Sequence, residues 1–233
     1  MLAPGERVVM ISGANRGIGA ATARRLAAAG FRLSLGVRNG RTPAVSASAR
    51  CLVARYEGRE RESAKAWVDA TLERFGRIDA LVNNAGIAPL STLEDESEDA
   101  LDEMWLVNVK APLRVIRSAL PHLKKSGVGR VVNIASLSGK RVKNANAGYA
   151  MTKFALMALT HSVRRLGWEH GIRATAICPS FVATDMTADV HEVQRAEMIP
   201  PEEVADLVAC VLSLPNNASI AELLVNMRHE EML

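Results

Sequence analysis

Tyr149 and Lys153 stand four residues apart in a stretch of helical period, so their side chains share one helix face, a turn from each other. A phenol ordinarily keeps its proton at neutral pH. An ammonium beside it favours the phenolate, which makes the pair a candidate proton donor and acceptor. Upstream, Asn133-Ile134-Ala135-Ser136 closes an apolar run, with Ser136 thirteen residues before Tyr149. A serine at the end of such a strand faces the crevice where open sheets bind their ligands, and its hydroxyl can donate a hydrogen bond there. Ser138 is a neighbour of the same type at a different spacing.

A second chemistry lies near the start. Ser12-Gly13-Ala14-Asn15-Arg16-Gly17-Ile18-Gly19 follows an apolar run and leads into an alanine-rich helix. Glycines at 13, 17 and 19 allow a tight turn, close approach of backbone to a pyrophosphate, and close packing of helix on strand. The phosphates of a dinucleotide then lie against free N–H groups at the helix N-terminus. The end of the second strand reaches the adenosine ribose, where a carboxylate would accept from two hydroxyls and repel a 2′-phosphate. Here the sequence reads Leu35-Gly36-Val37-Arg38-Asn39, without an acid. Arg38 offers a planar fork suited to phosphate, and Arg16 is a second cation nearby. The expected nucleotide is NADP(H).

These groups need a sheet with helices around it. Short apolar runs over 7–12, 32–37, 51–56, 78–83, 130–135, 172–178 and 220–226 alternate with helical patterns over 18–29, 63–75, 97–120, 149–168 and 201–214. Ser97 is a suitable N-cap and Gly30 and Gly76 suitable helix stops. The expectation is a single-domain α/β Rossmann-type fold spanning 1–233, a doubly wound parallel sheet of about seven strands with helices on both faces. Only about a dozen residues, including Gly40 and Pro43, join the second and third strands, so a stunted or irregular crossing is expected there. With 29 Lys and Arg against 25 Asp and Glu, the formal charge is +4, spread without long runs, and no nucleic acid is expected as a partner. No apolar stretch is long enough for a bilayer, so no membrane partner is expected. Cys51, Cys178 and Cys210 are far apart and odd in number. They read as reduced thiols of a cytoplasmic protein, with no metal site. The first residues lack the zones of a secretory signal.

The glycine spacing GxxxGxG resembles that of the short-chain dehydrogenase/reductase family, and the resemblance extends along nearly the whole chain. Asn83-Asn84-Ala85-Gly86 stands where that family has NNAG, Ser136 where it has a catalytic serine, and Tyr149-Ala150-Met151-Thr152-Lys153 where it has YxxxK. Asn108 falls at the family's asparagine, and Cys178-Pro179 and Thr184 at the turn after the sixth strand. The resemblance implies a hydride transfer between NADP(H) and a small carbonyl or secondary alcohol. Tyr149 would protonate the carbonyl oxygen and act as base in reverse. Lys153 would hold the nicotinamide ribose, Ser136 would donate to the substrate oxygen, and Asn108 would hold a water linking Lys153 to solvent. Cofactor contacts are implied for Gly13, Asn15, Arg16, Gly17, Ile18, Gly19, Arg38, Asn84, Ala85, Gly86, Tyr149, Lys153, Pro179, Val182 and Thr184. A homotetramer, or a homodimer, is implied through the helices over 97–120 and 149–168, with Val109, Leu113, Ile116, Phe154, Leu156 and Leu159 supplying apolar surface.

Departures from the family stand beside this. Ser180 replaces the usual glycine after Pro179, and a shifted backbone is expected there. Glu57 takes the place of an aspartate that holds the adenine amine. The stretch PNNASIAELLVN is similar to members acting on 3-hydroxy acids. Residues 187–199 are expected to cover the substrate, with Leu137, Met151, Phe181 and Met186 along the pocket or in the core. Lys140, Arg141 and Lys143 read as a solvated cationic loop, or as an attraction for an anionic substrate. A nucleotide-binding redox sensor without turnover is the alternative, and the presence of both Tyr149 and Lys153 speaks against it.

Overall fold

A computed structural model describes residues 1–38 and 45–229. Its centre is one sheet of seven parallel strands: β1 (Val8–Ser12), β2 (Arg32–Val37), β3 (Cys51–Arg55), β4 (Ala80–Asn83), β5 (Arg130–Ile134), β6 (Arg173–Pro179) and β7 (Glu222–Val225). They lie in the order β3-β2-β1-β4-β5-β6-β7. Every expected strand is present, trimmed by a residue or two at some ends. The order reverses direction between β1 and β4, which opens a crevice at the carboxyl ends of these two strands.

Alternation along the strands divides the core in two. Val9 and Ile11 of β1 face the layer of α1 (Gly17–Ala28) and α6 (Pro201–Ser213), which pack on each other. Met10 between them faces the other layer, made of α2 (Ser63–Phe75), α4 (Ala111–Ser126) and α5 (Ala147–Gly167). Successive strand side chains point to opposite faces, so apolar residues on both parities mark a strand buried on both sides. Trp67 of α2, fully buried, donates its indole N–H to Ser34 Oγ of β2 (2.9 Å), which satisfies both polar groups inside the second layer.

The helix expected over 97–120 is three pieces. α3 (Asp99–Trp105) leads into a π-helical turn, Leu106–Lys110, and then α4. The N-cap is Glu98 rather than the expected Ser97, and no side chain caps the helix; Ser97 Oγ, one residue earlier, accepts from the Asp99 N–H (3.1 Å). α4 runs through Pro121 to Ser126 and stops at Gly127, in the left-handed conformation. Proline removes one helical hydrogen bond, yet Ala119 and Leu123 on either side of it are fully buried. Their packing outweighs the lost bond. Of the expected interface residues, Ile116 (4% exposed) and Leu156 (2%) lie in this chain's own core, while Phe154 (44%) and its neighbour Met151 (50%) face outward on α5. Between β2 and β3 no helix occurs among the described residues, and Val45 packs against the α1 layer. Asn39, Gly40 and Pro43 lie outside the described residues. Among those described, no helix is long and apolar enough to cross a membrane.

Candidate active site

The crevice at the carboxyl ends of the strands is a cleft of about 600 Å³, within the usual range for a small-molecule site. Its nucleotide end is built by the turn between β1 and α1. No side chain caps α1 and its first turn holds no acidic residue, so the N–H groups there remain for an anion. Gly13, Asn15, Arg16, Gly17 and Ile18 line the cleft, as do Asn84, Ala85 and Gly86 after β4. Gly19 sits just beneath. A Cβ on it would lie 2.3 Å from the Gly13 carbonyl oxygen, so only glycine lets α1 begin this close to β1. Ser12 Oγ accepts from the N–H groups of Asn84 (3.0 Å) and Ala85 (3.1 Å), and Asn84 Nδ2 donates back to the Ser12 carbonyl (3.0 Å). The two loops are thereby fixed to each other. An open helix N-terminus beside a cleft of this size fits the pyrophosphate of a dinucleotide.

At the end of β2, Arg38 is exposed and lines the cleft. Arg16 lines it too, but its guanidinium pairs with Asp185 (3.1 Å), and both side chains are more than half exposed. Such a pair is worth about 0–1 kcal/mol, so it can open for a better anion. Glu57 also borders the cleft, where its carboxylate accepts from the Arg59 main-chain N–H (3.1 Å) and guanidinium (3.3 Å).

Lys153 is 6% exposed and donates from Nζ to the Ile134 carbonyl at the end of β5 (3.0 Å), with the Tyr149 ring centroid 5.4 Å away. Both side chains line the cleft. The start of α5 is set by Asn146, whose Oδ1 accepts from the N–H groups of Tyr149 (3.1 Å) and Ser91 (3.2 Å). Its Nδ2 donates to the Pro89 carbonyl (2.9 Å). This cap pins the loop after β4 to the helix that carries Tyr149. The sequence reading began the helix at Tyr149 and passed over it, although an asparagine just ahead of a helical pattern is the ordinary sign of a cap.

Ser136 follows β5 and lines the cleft, where its Oγ accepts from the Ser138 N–H (3.1 Å). The hydroxyl proton is left for another acceptor. Asn108 lies in the π turn, 1% exposed and behind the cleft wall. Its Nδ2 donates to the Ile87 carbonyl (2.9 Å) and Thr152 Oγ1 (3.2 Å), and its Oδ1 accepts from the Ile87 N–H (2.9 Å). One Oδ1 lone pair remains. A Cβ on Gly86 would lie 3.3 Å from that oxygen and 4.0 Å from Lys153 Nζ, so the absent side chain leaves the path between the two polar groups open.

The third wall follows β6. Pro179, Val182 and Thr184 line the cleft. Ser180 lies there without strain: among the described residues no non-glycine has a positive φ, and the Ser180 N–H donates to the Val225 carbonyl (2.9 Å). The segment 187–199, expected to cover the substrate, is anchored by Val193, Met198 and Ile199, each 4–5% exposed. Among the described residues no group of three or more His, Cys, Asp or Glu side chains is arranged to hold a metal. Cys178, beside Met157 in the core, has its thiol pushed up to about 11 by burial, with Glu222 adding to the effect, so it is no nucleophile at neutral pH.

Comparison with known proteins identifies the family. The family model for short chain dehydrogenases matches residues 7–195. An agropine synthesis reductase of Rhizobium rhizogenes is 43% identical over 217 residues, which are 91% of this chain and 50% of that protein. The chain thus spans about half the length of those reductases. An uncharacterized oxidoreductase of Staphylococcus epidermidis is 31% identical over 230 residues, covering 94% of this chain and 96% of its own. Among solved structures, the alcohol dehydrogenase of the archaeon Thermococcus sibiricus, complexed with 5-hydroxy-NADP, aligns at a TM-score of 0.84 and 29% identity over 97% of this chain and 99% of that one. A 3-ketoacyl-(acyl-carrier-protein) reductase from Brucella melitensis, complexed with NADH, aligns at 0.88 and 25% over 96% and 98%. From the parallel sheet, the glycine turn and these matches together, the chain belongs to the short-chain dehydrogenase family of oxidoreductases.

Proposed function

We propose that this chain is an NADP(H)-dependent oxidoreductase that interconverts a small carbonyl compound and its secondary alcohol. The observation that carries the reading is the Tyr149–Lys153 pair, held by the Ile134 carbonyl in the same cleft as the open N-terminus of α1. Bound NADPH supplies the hydride. Tyr149 donates its phenolic proton to the substrate oxygen during reduction and takes it back during oxidation. The ammonium of Lys153 favours the phenolate left behind and reaches the ribose of the nucleotide. Ser136 donates its free hydroxyl proton to the same substrate oxygen, which steadies the charge that develops there. Asn108 ties the Gly86–Ile87 backbone to Thr152 of α5, and its remaining lone pair holds a water on the path to Lys153. Arg38, joined by Arg16 when its pair with Asp185 opens, recognises the 2′-phosphate.

The protein works in the cytoplasm as a homotetramer or homodimer. Exposed Met151 and Phe154 on α5 support the assembly, and light scattering giving a monomer mass would contradict it. The test of the reaction is NADPH absorbance followed across a panel of ketones, aldehydes and 3-oxo esters. Turnover of at least one is expected, and none with any carbonyl would overturn the reading.

A further inference from the structure

We propose that Glu222 of β7 is a positioning residue for Ser136, acting through Lys140; this deepens the hydride-transfer reading and rests on it. Ser136 begins a short turn, Leu137–Gly139, and Lys140 ends it. The turn closes on itself. The Ser136 carbonyl accepts from the Gly139 N–H (2.9 Å), and the Leu137 carbonyl accepts from the Lys140 N–H (2.8 Å). Where this compact piece sits therefore decides where the Ser136 hydroxyl meets the cleft.

Two contacts place it. The first is with α5. A Cβ on Gly139 would lie 2.8 Å from the Lys153 carbonyl oxygen and 3.2 Å from Met157 Cγ, so glycine lets the turn press on the helix beside the lysine. The second is made by Lys140, whose Nζ donates to Glu222 Oε2 (2.8 Å). The other carboxylate oxygen, Oε1, lies 2.7 Å from His161 Nε2. An ionised carboxylate only accepts, so the imidazole carries a proton on Nε2. Lys153, Met157 and His161 stand four residues apart in turn, which puts the pressed turn and the carboxylate along one stripe of α5. Glu222 pairs with Ala176 of β6, and side chains so paired leave the sheet on the same side, here that of Leu137, Met157 and Cys178. One carboxylate thus joins the sheet edge, the Ser136 turn and the helix that carries Tyr149 and Lys153.

The pair is better shielded than that of Arg16 with Asp185. Lys140 and Glu222 side chains are 30% and 20% exposed, so water screens their attraction less. Lys140 chiefly, against burial and with help from His161, holds the Glu222 carboxyl below its ordinary value, and it is charged at neutral pH. Neither Lys140 nor Glu222 lines the cleft. Their effect on turnover passes through the turn.

Amide hydrogen exchange reads the placement without turnover. Glu222→Met removes the acceptor at similar length, and Lys140→Met removes the donor. In each, exchange at the Gly139 and Lys140 N–H groups is expected to quicken about tenfold, as for loss of one charge-assisted contact, with exchange in β1 unchanged. Turnover then separates positioning from general support. Ser136 steadies charge that develops only during reaction, so kcat should fall about tenfold with KM and NADPH affinity near those of the parent. In a Ser136→Ala background no hydroxyl remains to be misplaced, and either substitution should change kcat by less than about twofold. If Glu222→Met fails to bind NADPH, Lys140→Met carries the test. Unchanged exchange at both amides would overturn the proposal, as would a kcat loss undiminished in Ser136→Ala. Quickened exchange with no turnover of any carbonyl by the parent would leave the placement of Ser136 by Glu222 standing and count against the hydride transfer instead.

Discussion

The two edges of the same sheet use polar side chains in opposite ways. At the amino edge they close the structure on itself. Arg7, at the foot of β1, is buried, stacks its guanidinium on Phe31 and donates to the Leu212 carbonyl (2.8 Å). Arg130, 2% exposed, donates to Asn216 Oδ1 (3.0 Å), to the carbonyls of Gly129 (2.9 Å) and Gly171 (3.3 Å), and to Leu214. Burial and the nearby charges of Arg7 and Arg173 push its guanidinium down to about 10, still well above neutrality. The pair thus answers carbonyls that the end of α6 leaves without helical partners. Asp79, fully buried, accepts from the Val8 N–H (2.9 Å), Arg77 (2.7 Å) and Ser126 Oγ (2.6 Å). At the carboxyl edge the donors are turned outward: the N–H groups of α1, the hydroxyls of Ser136 and Tyr149, and the fork of Arg38 face a cleft. One edge spends its hydrogen bonds on folding, and the other holds them for a ligand.

If the edges divide labour in this way, substitutions should separate turnover from stability. The largest effect belongs to Tyr149→Phe, which keeps the ring and removes the proton. General acid catalysis is worth roughly 10²–10⁴-fold, so kcat should fall at least a hundredfold. NADPH affinity and Tm should stay close to those of the parent. A variant retaining most of its turnover would remove Tyr149 from the mechanism.

Asp79→Ala should do the reverse. It strands the buried Val8 N–H and the Ser126 hydroxyl, a cost of about 2–3 kcal/mol, and Tm should fall by roughly 4–12 °C while kcat at low temperature stays near normal. The pH dependence follows from the same contacts. Burial pushes the Asp79 carboxyl up, but hydrogen bonds from Arg77, Ser126 and the Val8 N–H outweigh it and hold the group below its ordinary value. A depressed carboxyl stabilises the fold above its unfolded value, about 3.9, and loses that contribution as pH falls through the folded value. The deficit of Asp79→Ala should therefore be full at neutral pH and narrow in acid. A deficit that does not change with pH would show the carboxylate contributes nothing through its charge.

Smaller effects are expected at the nucleotide end. One phosphate contact is worth about 1.5–3 kcal/mol, and kcat/KM should favour NADPH over NADH at least tenfold. Val37→Asp combined with Arg38→Gln should reverse the preference. Equal efficiency with both cofactors in the unmodified protein would refute the assignment of Arg38 and Arg16. The least effect is expected of Asp185→Asn, which frees Arg16 from an exposed pair. NADPH affinity should rise by up to about threefold, NADH affinity should not change, and the gain should shrink at high salt. A rise shared by both nucleotides would place Arg16 away from the 2′-phosphate.

Much of the carboxyl edge could be read from the sequence, because glycine spacing and strand-end residues encode it locally. The strands themselves were plain from apolar runs buried on both faces. The π turn was not, since one extra residue in a helix barely disturbs an apolar period, and Pro121 gives no sign that Ala119 and Leu123 hold their helix together around it. Long-range pairs were hidden as well. Arg16 meets Asp185 across 169 residues, and nothing near either residue announces it. Arg141 sits among Lys140 and Lys143, a run that reads as solvated. Its burial depends on how the turn after Ser136 folds against α5. The division of labour between the two edges is likewise a property of the fold, because arginines at strand starts look the same in sequence whether they face water or a helix end.

The central claim, that this cleft passes hydride to a carbonyl under proton control by Tyr149, is tested most directly by isotope transfer. NADPH deuterated at the transferring position of the nicotinamide would be incubated with the protein and a carbonyl substrate that it turns over, and the alcohol analysed by mass spectrometry. The account predicts one deuterium at the carbinol carbon of each product molecule, formed at least a hundredfold more slowly by Tyr149→Phe. Alcohol without deuterium at that carbon, or formed equally fast by the phenylalanine variant, would contradict it.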